Sequence, residues 1–148
     1  MRIDYLEVTK IVAASLILIT IFGGALYYSQ IRPTRAQPNR LVIITPSQLK
    51  SGQEEILKIG AVDDKGEFMR TRNDLVEVSI LTHANASIGI KGESGVIWSE
   101  QLHGHLNNGI MEILIKGGGV ETVTVTVRQL EGETPLERAV SLLYVGME

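Results

Sequence analysis

"VTVTVR", residues 123–128, alternates without a break: Val123, Val125 and Val127 fall on one side, and Thr124, Thr126 and Arg128 on the other. A period of two is what a β-strand imposes when one face meets a core and the other meets water. A helix would scatter the three valines around its circumference. The five residues before Arg128 are all β-branched, which suits pleated backbone better than helix.

The same pattern recurs on either side. Leu57, Ile59 and Ala61 alternate with Lys58, Gly60 and Val62, and Val76, Val78 and Ile80 with Glu77, Ser79 and Leu81. Met111, Ile113 and Ile115 alternate with Glu112, Leu114 and Lys116. Turn chemistry separates the runs: "DDKG" at 63–66, "NNG" at 107–109, "GGG" at 117–119 and "EGETP" at 131–135. These signals predict seven or eight strands, near 41–45, 55–62, 75–81, 87–91, 95–98, 110–116, 120–129 and 138–145. "TPLERAVSLL" reads as a turn followed by the final strand, because "AVSLLYV" is rich in strand formers. The expected fold is all-β: an antiparallel sandwich over residues 41–148, preceded by one transmembrane α-helix.

That helix is predicted from "IVAASLILITIFGGALYY", residues 11–28, which carries no charged side chain. Eighteen helical residues span roughly 27 Å, close to a hydrocarbon core of about 30 Å. The run is too long for a signal peptide, its start mixes Arg2 with Asp4 and Glu7, and "GGALYYSQ" is a poor cleavage site. The domain plan is therefore a tail at 1–10, a membrane helix at 11–29, a proline- and arginine-bearing linker at 30–40 and the sandwich at 41–148. Thr20, Gly23 and Gly24 offer a close-packing surface to a second helix, although glycine is frequent in such helices anyway.

Charge is split between these parts. Residues 1–40 hold five Lys/Arg against Asp4 and Glu7, whereas the rest holds nine against fifteen Asp/Glu. An acidic domain repels phosphate backbones, so no nucleic-acid partner is expected. The basic cluster sits beside the apolar run, where lipid headgroups are its natural partner. Arg2 and Lys10 precede the run and Arg32, Arg35 and Arg40 follow it, a difference that by itself favours a cytoplasmic domain. A short tail leading into a sandwich favours the outside, and the domain is read as extracytoplasmic; Asn85-Ala86-Ser87 is an acceptor triplet, of a kind that often occurs by chance.

"LKSGQEEILKIGAVDDKGEFMRTRNDLVEVSI", followed by "GIMEILIKGGGVETVTVTV", resembles immunoglobulin-like domains of prokaryotic surface proteins, the bacterial Ig-like or invasin type. The shared pattern is a strand ending in "AVDDKG", a next strand "VEVSI", and a valine–threonine strand after a glycine turn. The resemblance covers most of residues 41–146 and implies adhesion, spacing or assembly rather than catalysis. The antibody-type Cys–Trp–Cys core is absent, since the chain has no cysteine. The wider layout, an apolar N-terminal helix joined to a sandwich, is also similar to archaeal pilins and archaellum-associated filament or stator proteins. Arg2, Asp4, Glu7 and Lys10 would then need pairing inside a filament.

Chemistry-bearing residues are sparse. His103 and His105 are two apart, as on one strand face, and His83 offers a third nitrogen, which together is the pattern of a metal-dependent enzyme or carrier. Gly104 and the following "NNG" suggest a turn instead, and no metal or other cofactor is expected. Asp63, Asp64 and Glu67 around a glycine turn are suited to Ca²⁺ by charge but read better as a hairpin turn. No nucleophile elbow, phosphate loop or zinc-protease helix is present, so an enzyme is not expected. Trp98 is read as a core residue, with an exposed anchor for a partner as the other reading. The expected role is a non-catalytic, membrane-anchored protein that contacts other surface or membrane proteins. One form of that role is an accessory subunit of a larger membrane complex, and "LVIIT" at 41–45 is the segment best suited to edge pairing.

Overall fold

The computed structural model describes residues 38–147. The tail, the apolar segment 11–29 with Thr20, Gly23 and Gly24, and most of the linker lie outside the described residues. Among the described residues no helix is long and apolar enough to cross a membrane. The chain there forms ten strands: β1 (Arg40–Ile44), β2 (Leu49–Lys50), β3 (Glu54–Val62), β4 (Leu75–Leu81), β5 (Ser87–Gly92), β6 (Gly95–Ser99), β7 (Gln101–His105), β8 (Ile110–Lys116), β9 (Glu121–Glu131) and β10 (Ala139–Gly146).

They make two five-stranded sheets, in the orders β1-β3-β8-β5-β6 and β2-β10-β9-β4-β7. The valine row of β9 lies at the centre of the second sheet. Val123, Val125 and Val127 are fully buried, and Val76 and Val78 of β4 lie beside them. Leu57, Ile59 and Ala61 of β3 meet them from the first sheet, with Ile113 and Ile115 of β8. Each fully buried valine contributes about 1.5–3 kcal/mol relative to exposure. The four alternating runs thus put their apolar sets into one core between two layers.

The structure corrects three expectations. There are ten strands among the described residues, not seven or eight, and one pair, β2 with β10, is parallel. β2 has only two residues, Leu49 and Lys50, too few to show a period, yet Leu49 is buried against the core. β7 contains "HGH", where glycine suggested a turn. It is instead a strand paired to β4, with Leu102 and Gly104 turned inward. A Cβ at position 104 would come within 2.5 Å of Met111 Sδ, so glycine serves close packing there. The turn comes later, at 106–109.

Strand register defines two poles. At one pole the chain enters, with Arg40 opposite Val62 at the end of β3. At the other, Lys116 ends β8 opposite Glu54 and Ser87, the first residues of β3 and β5. β6 and β7 are separated by Glu100 alone, where the chain passes from the edge of the first sheet to the edge of the second.

Candidate interaction surface

The outer face of the second sheet is built from the residues that alternate with its core set. On β10 these are Val140, Leu142 and Tyr144, exposed by 57%, 67% and 63%. Cross-strand register places Val140 opposite Thr126, Leu142 opposite Thr124 and Tyr144 opposite Thr122. Thr124 in turn faces Leu81 of β4, itself 61% exposed. Paired residues share a face, so Leu142, Thr124 and Leu81 form one row across three strands. Apolar side chains and threonine methyls therefore make a continuous patch in water. On the far edge of β10, β2 pairs with Val145 and Gly146.

Toward the entry pole the face becomes charged. Glu77 of β4, with 10% of its side chain exposed, sits between Arg128 and His103. Arg128 donates to it from Nε at 2.6 Å and from Nη2 at 3.1 Å, and Gln101 Nε2 donates at 2.7 Å. His103 Nε2 lies 3.0 Å from Glu77 Oε2. The Arg128 hydrogen bonds outweigh the cost of burial, and with His103 and Gln101 they pull the Glu77 carboxyl down to about 2. A carboxylate so held, with its lone pairs engaged, is a weak base; its work here is to lock β4, β7 and β9 together.

The three histidines are not brought to one place. His103 and His105 share the outer face of β7, but His103 engages Glu77 and His105 Nδ1 lies 3.2 Å from the Asn73 carbonyl. His83 lies past the end of β4, at the opposite pole from His105. Among the described residues no group of three or more His, Cys, Asp and Glu is placed to hold a metal ion. Asp63 is occupied by its own turn: its Oδ1 accepts the Lys65 and Glu67 amides, each at 2.9 Å. The Glu67 amide is the main reason its carboxyl is lowered.

Trp98 is not a core residue. It lies half-buried on the outer face of the first sheet, opposite Gly89, with Lys116 Nζ 5.6 Å from its ring centroid. A Cβ on Gly89 would stand 2.9 Å from Trp98 Cε3, so the missing side chain is the seat for the ring. Its neighbour Ile97 is 76% exposed. "LVIIT" does form an edge, β1 of the first sheet.

The patch on β10 escaped the sequence reading although a signal was there. In "AVSLLYV", both alternating sets contain large apolar residues, so one set must face outward. Glu77 carried no such signal, since its partners come from strands 24 and 51 residues away.

No protein family matches the sequence, and no curated protein matches it. Among solved structures, the chain is similar to a conjugative transposon lipoprotein from Bacteroides eggerthii at 14% identity and a TM-score of 0.43, covering 72% of this chain and 96% of that one. It is also similar to a protein from Francisella tularensis at 14% identity and a TM-score of 0.45, covering 73% and 94%. A cohesin module of a family 33 glycoside hydrolase from Clostridium perfringens is similar at 12% identity and a TM-score of 0.40, covering 75% and 98%.

Proposed function

We propose that this chain is a membrane-anchored, non-catalytic immunoglobulin-like domain that contacts another protein at the cell surface through the outer face of its second sheet. The observation that carries the reading is the exposed row Val140, Leu142 and Tyr144, with Leu81 on the same face across Thr124. Contiguous apolar surface in water is a liability for a free domain and an asset for one that is partnered. A tyrosine within it is the residue type that concentrates binding energy. The apolar run at 11–28 supports the anchor, and its length supports a single span. The immunoglobulin-like assignment is supported by adjacency: β3 lies beside β8, and β4, β9 and β10 are consecutive, as strands B–E and C–F–G are in that fold.

The test is the particle that mild detergent releases from native membranes, compared between the natural chain and the variant Leu142→Asp with Tyr144→Ser. The expected result is a second protein in fixed ratio with the natural chain, lost from the variant while the variant stays in the membrane. A natural chain recovered alone overturns the reading. If the partner is a larger membrane protein and survives the substitutions, the chain is an accessory subunit docked elsewhere.

A further inference from the structure

We infer that Asn85 is an attachment site for an N-linked glycan. The inference rests on the extracytoplasmic placement proposed above. Asn85-Ala86-Ser87 is the single acceptor triplet among the five asparagines of the chain. The structure places it in the β4–β5 connection, at the pole away from the point where the chain enters the domain.

The local geometry presents this one side chain and ties down its neighbours. Glu121 accepts hydrogen bonds from Thr82 Oγ1 at 2.6 Å, the His83 amide at 2.5 Å and the Ala84 amide at 3.1 Å. Thr82 Oγ1 in turn accepts from the Ala86 amide at 2.9 Å. The Gly119 amide donates to the Ala84 carbonyl at 2.7 Å, and the Ala86 side chain is buried at 2% exposure. Between these anchors Asn85 is exposed, with φ of 64°, and its amide makes no hydrogen bond to other described residues. The positive φ bends the chain at Asn85 and is a conformation that asparagine tolerates. Aspartate tolerates it too, so conformation alone does not require the amide.

The reaction needs an activated donor, a lipid-linked oligosaccharide diphosphate. The Asn85 Nδ2 attacks the anomeric carbon, the new N–C bond forms and the C–O bond to the diphosphate breaks. The lipid diphosphate leaves with the electron pair, and the amide gives up one proton to the transferase.

The experiment is peptide mass spectrometry on the full chain recovered from membranes of its own host, beside two variants made in the same host. Asn85→Asp keeps the backbone conformation and removes the acceptor. Gly92→Asn places a new acceptor ahead of Glu93-Ser94 at the other pole, where a Cβ meets nothing nearer than Gly95 O at 3.5 Å. The expected result is a glycan on the Asn85 peptide that is absent from the aspartate variant. A glycan at position 92 with none on Asn85 overturns the assignment and leaves the surface reading standing. No glycan at either position also overturns it. Protease treatment of intact cells then decides the surface reading separately: digestion of the domain keeps it, and protection removes it.

Discussion

Arg128 on β9 stands directly opposite Glu77 on β4, with its Nε 2.6 Å from Glu77 Oε1. The folded carboxyl lies near 2 instead of its ordinary 4.5, so the folded state binds its proton less readily than the unfolded chain does. The stabilisation is therefore complete above the ordinary value and is lost as pH falls from about 4.5 through about 2. Urea midpoints of the full chain in detergent should fall over that window. In Glu77→Gln the midpoint should start lower at neutral pH and fall less steeply. Parallel pH profiles for the two proteins would sink the idea.

Trp98 is the single tryptophan, so its emission reports on one place. Gly89→Ala would put a methyl 2.9 Å from Trp98 Cε3 and 2.5 Å from Val96 Cγ1. Both Val96 and the indole ring have to give way. We expect a red-shifted emission and a stability loss of about 1–3 kcal/mol. An unshifted spectrum would mean that the ring does not rest on Gly89.

The two layers make different demands on leucine. Leu57 is fully buried between the sheets, and Leu57→Ala should cost about 2–5 kcal/mol in urea unfolding. Leu142 is 67% exposed, and Leu142→Ala should stay within about 0.5 kcal/mol for the chain freed of any partner. Equal losses at the two positions would contradict the assignment of inner and outer faces.

What the sequence makes legible follows from how local each cause is. The alternation at Val123, Val125 and Val127 depends only on the chain's own pleat, and the structure buries all three. The same holds for Leu57, Ile59 and Ala61. β2 was hidden because two residues carry no period, and β7 because Gly104 answers to Met111, a residue on another strand. Trp98 reads from sequence as a core residue, but its seat is a glycine across the ladder, which only register reveals. The outer patch was half-visible, since "AVSLLYV" has too many apolar residues for one face. Glu77 was invisible for the opposite reason: a glutamate at an alternating polar position looks solvated until Arg128, His103 and Gln101 are brought beside it.

The long β3–β4 connection at the entry pole contains a buried ion pair. Arg72 Nη2 lies 2.7 Å from Asp74 Oδ2, and their side chains are 6% and 4% exposed. The same guanidinium donates to the Thr134 carbonyl at 2.6 Å and to the Thr134 hydroxyl, so it also holds the β9–β10 connection. Removing one partner strands the other charge away from water, which costs about 3–5 kcal/mol. Replacing both by apolar residues removes that orphan charge and costs less. We therefore expect Arg72→Met to lower the urea midpoint sharply, and Arg72→Met with Asp74→Leu to recover part of the loss. Arg72→Met should also speed cleavage by trypsin at Arg70, which is exposed in this connection, while Lys58 within β3 stays protected. If the double variant is no more stable than the single, the ion pair is not the main contribution. The Thr134 contacts then hold the pole, and Thr134→Val becomes the substitution that loosens it.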